Sequence, residues 1–331
     1  MQDDQRVSEV SGATRSPRVL VLGAGSAPGV SILKALQGLD VELCAAGQSP
    51  YLPGLYMVDE RFVLSAAGEP GFAEQVASLA RRERIDVVVP AIDDEVAALH
   101  ASRADMADVT VAMHDPQTLD ACLDKWDFWL RLRDSGVPLP RTWLPAQLAG
   151  EGLHAAVIAK PRLGSGADGV RRITDASELH ELDDSYVVQE ELPGEEVSVD
   201  VYVNGAGRVL AAVPRRRLRT ELGISMCGQT FRDAELQAMA AQVAEHVGGH
   251  GILNIQFKQD ADGQYRLLEV NPRCPGGMSL TVASGVNMPA MLVRELLGEE
   301  LAEPVDFEEL AMVRYREEIF MPPDALLDDA Q

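Results

Sequence analysis

Leu267-Leu268-Glu269-Val270-Asn271-Pro272-Arg273, preceded by Ile252-Leu253-Asn254-Ile255-Gln256-Phe257-Lys258, decides how this chain is built. Asp262-Gly263 stands between the two apolar runs, the strongest short signal for a β-hairpin. Residues two apart on a strand share a face. Glu269 and Asn271 therefore point the same way, as do Asn254 and Gln256 on the partner strand. A carboxylate and amides gathered on one face offer only oxygen ligands for a metal, and Mg²⁺ is bound by one or two carboxylates together with substrate phosphates. Arg273 follows on that face, with a fork suited to phosphate. Taken alone, the hairpin reads equally well as a strand pair with a solvated polar face; the rest of the chain has to decide.

The length of 331 residues implies two or three domains. A 46% apolar and 24% charged composition is that of a globular protein. The net charge of −23 argues against a nucleic-acid partner and against an anionic membrane surface. No apolar run approaches a membrane span. Cys44, Cys122, Cys227 and Cys274 are scattered, with no zinc spacing, and read as reduced thiols. Met1 to Ser16 is polar and lacks an apolar core, so residues 1–16 read as a disordered leader and not as a signal peptide. A cytoplasmic location is expected. The six histidines form no constellation, and no Ser/His/Asp or Cys/His arrangement is visible, so a covalent protein nucleophile is not expected.

Strand and helix patterns alternate from Arg18 to about residue 115. Strands are expected at 18–22, 41–46, 61–64, 86–90 and 109–112, with helices at 30–39, 72–83 and 95–102. This predicts an α/β, doubly wound parallel-sheet domain over 17–115. Gly23, Gly25 and Gly29 are spaced GxGxxxG, which matches a dinucleotide fingerprint only loosely. The plainer reading is a tight turn whose helix N-terminus could meet a substrate anion. After Asp115 the texture changes. Leu119–Asp134 reads as one amphipathic helix stopped by Gly136 and Pro138. Ala156–Pro161 is a strand leading into the glycine loop Gly164-Ser165-Gly166-Ala167-Asp168-Gly169. A strand at 186–192, a hairpin over 197–213, a helix at 233–247 and a helix at 288–297 follow. The residues after Glu299 are acidic and read as a peripheral tail.

Five motifs now stand in order: Asp124-Lys125 with Gly136-Val137-Pro138-Leu139-Pro140; Lys160-Pro161 with the 164–170 glycine loop; Gln189-Glu190-Glu191-Leu192-Pro193-Gly194-Glu195-Glu196 running into Val197-Ser198-Val199-Asp200; Asn254-Ile255-Gln256; and Glu269-Val270-Asn271-Pro272-Arg273. In this order they resemble the ATP-grasp superfamily, and within it the carbamoyl-phosphate-synthetase-like carboxylate–amine ligases, over residues 18–298. The resemblance implies a two-lobed, α+β ATP-grasp part behind the first domain. Its lid subdomain would span 116–191 and its metal and phosphate subdomain 192–305, leaving 306–331 as the tail. It implies ATP and Mg²⁺, or Mn²⁺ in its place. Gln256, Glu269 and Asn271 would be the metal ligands and Arg273 a phosphate-side arginine. Lys125 and Lys160 would reach the ATP phosphates, under a lid loop that includes Gly164, Ser165, Gly166 and Gly169. The backbone of Glu190, Glu191 and Leu192 would meet the adenine edge, with Glu190 near its exocyclic amine. Glu196 would take the ribose hydroxyls, in preference to its neighbour Glu195.

Arg215-Arg216-Arg217-Leu218-Arg219 is the densest basic cluster of an acidic chain. It is either a solvated charge run or positive charge turned toward phosphate and carboxylate groups. In a regular strand Arg217 and Arg219 share a face, and these two are expected at the γ-phosphate or a substrate carboxylate. Departures from the resemblance also matter. The family's serine-rich run after the arginine is replaced here by Cys274-Pro275-Gly276-Gly277-Met278-Ser279, and only one ATP-grasp half is present. The expected activity is amide formation through an acyl phosphate, on small-molecule acid and amine substrates. Formation of carbamoyl or carboxy phosphate from bicarbonate is the second reading, and a nucleotide-binding module without chemistry the third. The resemblance is compatible with a homodimer through the first domain.

Overall fold

The computed structural model describes residues 15–151, 153–164, 169–221 and 224–327. The first sheet is parallel. Its strands are β1 (Arg18–Val21), β2 (Glu42–Gly47), β3 (Glu60–Val63) and β4 (Val87–Val89), in the order β3-β2-β1-β4. Helix α1 (Ala27–Leu36) connects β1 to β2, α2 (Phe72–Arg82) connects β3 to β4, and α3 (Asp93–Ala101) follows β4. Alternation along β1 explains the two covered faces. Val19 and Val21 pack with Ile32, Leu33 and Leu36 of α1, whereas Leu20 and Leu22 pack with Phe72, Val76, Leu79 and Leu99. The expected fifth strand over 109–112 shrinks to one parallel bridge, Val88 to Val111.

The glycine spacing has a steric cause. Ser26 caps α1 by accepting from Gly29 N at 3.0 Å, and Gly23 takes a positive φ of 60°. A Cβ on Gly29 would stand 2.2 Å from the Gly23 carbonyl oxygen. Helix and turn can approach this closely only without a side chain. Gly29→Ala should therefore destabilise the protein by about 1–3 kcal/mol, read as a lower urea midpoint at an unchanged slope. An unchanged midpoint would contradict the close approach.

Glu95 is 5% exposed in the first turn of α3. Its carboxylate accepts from Ala91 N at 2.8 Å and Ile92 N at 3.2 Å. Burial nevertheless pushes its pKa up to about 7. A carboxyl whose pKa rises on folding stabilises the protein while protonated, and that contribution is lost as pH climbs from the ordinary carboxylate range through about 7. Glu95→Gln cannot ionise. It should gain about 3 kcal/mol relative to wild type between about pH 5 and about pH 8, measured as the difference in unfolding free energy at each pH. A difference that does not change with pH would contradict the assignment.

The expected single helix over 119–134 is two helices, α4 (Pro116–Leu123) and α5 (Lys125–Leu132). Asp124 breaks it. Its backbone is extended (φ −106°, ψ 117°), and its carboxylate caps Trp126 N and Asp127 N. Arg162 also forks onto this carboxylate, at 3.0 and 3.1 Å from Nε. Asp competes with the helix for hydrogen bonds in this way. The break puts Lys125 in the first turn of α5, against the lid.

The lid sheet comprises β5 (Thr142–Trp143), β6 (Val157–Pro161), β7 (Arg171–Ile173) and β8 (Tyr186–Glu190), in the order β5-β8-β6-β7, with α6 (Pro145–Glu151) beside it. The floor sheet is antiparallel. It comprises β9 (Glu196–Val203), β10 (Val209–Glu221), β11 (Ile224–Thr230), β12 (Gly251–Gln259) and β13 (Tyr265–Asn271). Helix α7 (Ala234–Val247) covers its back, contributing Leu236, Ala240 and Val243 to the core beneath Val197, Val199 and Val201. Helices α8 (Met278–Ala283) and α9 (Met288–Leu296) join the floor to the first domain, packing against α1. The expected Asp262-Gly263 turn is present, with Gly263 at φ 77°.

The tail is not peripheral. Phe307 is buried, and β14 (Ala311–Val313) extends the floor sheet beside β11, giving the order β13-β12-β9-β10-β11-β14. Farther on, Leu327 N donates to the Tyr56 hydroxyl at 3.1 Å, and Arg61 donates to the Ala325 carbonyl at 2.7 Å. Phe307, the β14 ladder and these backbone contacts hold the tail to the floor and the first domain, although Tyr315 and Phe320 stay exposed. The expected leader falls mostly outside the described residues, but Arg15 forks onto Asp86 at 2.7 and 2.8 Å. Among the described residues no helix is long and apolar enough to cross a membrane.

Candidate active site

The site is laid out by strand register. In the floor sheet Asn271, Asn254 and Asp200 are successive partners across β13, β12 and β9. Glu269, Gln256, Ser198 and Arg215 form the next row, which continues onto β10. One residue pair farther on, Lys258 is partnered by Glu196, whose carboxylate pairs with Arg217. A cleft of about 680 Å³ lies over these rows, with Lys125, Lys160, Pro161 and Gly164 of the lid side on its other wall. Asp93 and Pro28 of the first domain close one end.

The three expected metal ligands are brought together: Gln256 and Glu269 are cross-strand partners, and the Asn271 amide donates to Glu269 Oε1 at 3.3 Å. The Glu269 carboxylate has no cationic partner among the described residues. One carboxylate and two amide carbonyls form a hard-oxygen set that suits Mg²⁺, an ion that keeps waters and takes phosphate oxygens as further ligands. Among the described residues no group of three His, Cys, Asp or Glu could hold a metal.

Lys160 ends β6 and donates to Gln189 Oε1 at 2.9 Å; Gln189 in turn donates to the Thr142 hydroxyl. The ammonium has no ion pair among the described residues. Burial pulls its pKa below the ordinary lysine value, and the charges of Glu269 and Glu196 partly oppose this. A phosphate between Lys160 and the floor would relieve that desolvation. Lys125 donates to the Gly164 carbonyl at 2.8 Å, tying α5 to the start of the glycine loop. Gly164 and Gly169 take φ values of 100° and 69°, and a Cβ on Gly169 would lie 2.7 Å from Pro161 Cγ. Ser165 and Gly166 lie outside the described residues.

Arg273 lines the cleft and forks onto Asp93 of α3, with Nε to Oδ1 at 2.8 Å. It thus joins the floor to the first domain. Glu196 and Arg217 line the cleft as a pair, while Glu195 turns away to Arg216 at 3.3 Å.

Other expected residues lie outside the cleft lining. Glu190 is engaged by Arg141, which donates from its Nε at 2.8 Å and its backbone N at 3.0 Å. Glu191 is engaged by Arg172 at 2.7 and 2.9 Å. The Leu192 side chain is buried in the fold, and Gly169 stands behind Pro161. Arg219 is exposed and off the cleft because β10 is bulged. Arg217 pairs with Gly228 and Arg219 with the adjacent Cys227, so Leu218 is an extra residue in the ladder. A bulge of this kind re-aims the side chains that follow it, and Thr220, not Arg219, lines the cleft.

Sequence reading missed Asp93, Ser198 and Arg215, which also line the cleft. Arg215 was visible in the basic cluster. Choosing 215 and 217 over 217 and 219 required the position of the bulge, which no spacing rule gives. Asp93 had no signal beyond its place after β4.

Two family models divide the chain. Residues 19–114 match one described as the PylC-like N-terminal domain, and residues 183–319 match one described as ATP-grasp in the biosynthetic pathway with Ter operon. The second match, over the end of the lid sheet and the floor, is thus to an ATP-grasp model. Relatives agree with this. The arginine-specific carbamoyl phosphate synthase large chain of Bacillus subtilis is 25% identical over 256 residues, covering 71% of this chain and 25% of that protein. The carbamoyl phosphate synthase large chain of Gemmatimonas aurantiaca is 24% identical over 259 residues, covering 71% of this chain and 24% of that protein. The chain thus spans about a quarter of the length of the curated relatives it matches. Among solved structures, the biotin carboxylase domain of the Hydrogenobacter thermophilus 2-oxoglutarate carboxylase, in complex with MgADP, ADP and bicarbonate, superposes with a TM-score of 0.74 at 16% identity, covering 89% of this chain and 73% of that one. The N5-carboxyaminoimidazole synthetase of Staphylococcus aureus, complexed with ADP, gives a TM-score of 0.71 at 15% identity, covering 88% and 80%. At these identities the structural likeness speaks to the fold. The doubly wound first domain, followed by lid and floor, is the ATP-grasp architecture.

Proposed function

We propose that this protein is a Mg·ATP-dependent ligase that phosphorylates a substrate carboxylate and joins the acyl group to an amine. The observation that carries the reading is the facing of Lys160, without a carboxylate ion pair among the described residues, and the oxygen set Gln256–Glu269–Asn271 across one cleft. Lys125 and Lys160 would bind the phosphates from the lid side. Glu269 would hold Mg²⁺ with the side-chain carbonyls of Gln256 and Asn271. When bound, the ion neutralises charge on the phosphates, and the protein's own task is position and positive charge. Arg273, fixed by Asp93, is oriented to steady the transferred phosphoryl oxygens, and the Glu196–Arg217 pair offers an acceptor for nucleotide hydroxyls. The carboxylate oxygen attacks the γ-phosphorus, ADP leaves, and the amine then displaces phosphate from the acyl phosphate. Closure of the lid over the cleft would keep water from that intermediate.

The test is release of ADP and phosphate from Mg·ATP with amino acids singly and in pairs, and with bicarbonate and ammonia in separate wells. Release that requires a pair containing an amine supports the ligase. Release with bicarbonate alone replaces it with carboxy-phosphate formation.

A further inference from the structure

Arg215 stands in the same cross-strand row as Glu269, three strands away, or about 14 Å along the sheet. One edge of its guanidinium is fixed. Nε and Nη2 donate to Asp200 Oδ2 and Oδ1, both at 2.8 Å, and Asp200 is fully buried. The same carboxylate accepts from Asn254 at 2.8 Å and from Thr281, so its oxygens are filled. The third nitrogen, Nη1, has no hydrogen bond among the described residues. It lies against the Gly276-Gly277 turn, where a Cβ on Gly277 would stand 2.2 Å from it. Arg215, Ser198, Ser225, Gly276 and Gly277 together line this part of the cleft.

A second guanidinium reaches the same turn from the tail. Arg314 follows β14, and its backbone N donates to the Met226 carbonyl at 2.8 Å. Its Nη2 donates to the Gly276 carbonyl at 2.7 Å, and its Nε is buried without a partner. No carboxylate pairs with it among the described residues. Burial, and after it the charge of Arg215, hold its pKa below the ordinary arginine value. In a chain of net charge −23, two neighbouring guanidiniums have been left with Nη1 of one and Nε of the other unanswered. Like charges at close quarters call for an anion, and a guanidinium edge fits an oxyanion geometrically.

We propose that Arg215 and Arg314, with the Gly276-Gly277 turn between them, form a subsite for an oxyanion group, carboxylate or phosphate, carried by the acid substrate in addition to the carboxylate that reacts. This rests on the ligase reading above and narrows the acid to one with two anionic groups. Arg215 contacts the second group, and Arg314 positions the turn and supplies charge behind it. The β14 segment therefore completes the substrate end of the cleft.

Calorimetric titration of the full chain, with Mg·ADP present, tests this with succinate and phosphonoacetate as dianion probes and butyrate as the monoanion. A dianion is expected to bind at millimolar concentration, with butyrate at least about tenfold weaker. Succinate and phosphonoacetate compared tell carboxylate from phosphate. Arg314→Gln is the main variant, because Arg215→Gln would leave Asp200 buried without its partner. Arg314→Gln should weaken the preferred dianion about tenfold, and Arg314→Lys should weaken it less. Dianion affinity unchanged in Arg314→Gln, butyrate as tight as the dianions, or no dianion binding would each overturn the proposal. Mg·ADP titrated alone separates the two readings: its failure to bind counts against the ligase, and the dianion titration without nucleotide still reports on the subsite.

Discussion

Glu269→Ala should abolish Mg²⁺-dependent ADP release, lowering kcat/KM by at least about a hundredfold, or ~3 kcal/mol of transition-state stabilisation. Glu269 supplies the only carboxylate of the set it forms with Gln256 and Asn271. Without it two neutral carbonyls remain, too little charge to hold a divalent ion beside the phosphates. The fold should survive. Glu269 is half-buried, and among the described residues its one side-chain hydrogen bond is from Asn271 at 3.3 Å, so its loss leaves no buried charge behind. Turnover across a Mg²⁺ titration and the melting temperature together check this. Near-normal turnover would remove the metal assignment, and a collapsed melting temperature would show that Glu269 is structural.

The largest effect on stability is expected at Arg215→Met. This change strands the fully buried Asp200 carboxylate with Asn254 and Thr281 as its remaining donors among the described residues. Breaking a buried pair by removing one partner costs about 3–5 kcal/mol. Asp200→Asn in the same protein removes the unpaired charge, and the double variant should recover much of that loss. The coupling is read from urea unfolding of the two single variants and the double variant. Additive losses would mean that the two groups do not depend on each other, contrary to their two 2.8 Å contacts.

Most of the architecture could be read from the chain because it follows from local rules. Alternation on β1 and the capped, glycine-bearing entry to α1 predict a covered parallel strand. Asp262-Gly263 predicts the hairpin that places Gln256 opposite Glu269. The errors lie where a single side chain overrides a pattern. Asp124 prefers to cap Trp126 and Asp127, so an amphipathic run becomes two helices. Leu218 is an extra residue in its ladder, so the basic face shifts from Arg219 to Arg215 and Arg217. The carboxylates of Glu190 and Glu191 are engaged by Arg141 and Arg172, pairings that periodicity does not announce and that leave the expected backbone contact of 190–192 untouched. The tail was judged by its charge, and buried Phe307, one β-ladder and backbone hydrogen bonds decided its position. Long-range ion pairs and bulges leave no mark on periodicity, which is why the cleft was legible in outline and its arginines were not.

The central claim is that Mg·ATP binds between Lys160 of the lid and Glu269 of the floor. The direct measurement is equilibrium binding of ATP to the wild type and to Lys160→Met, with Mg²⁺ and with a chelator in its place. Binding that needs Mg²⁺ in the wild type and weakens at least about tenfold in Lys160→Met is the expected result. ATP binding indifferent to both Mg²⁺ and Lys160 would place the nucleotide elsewhere and contradict the account.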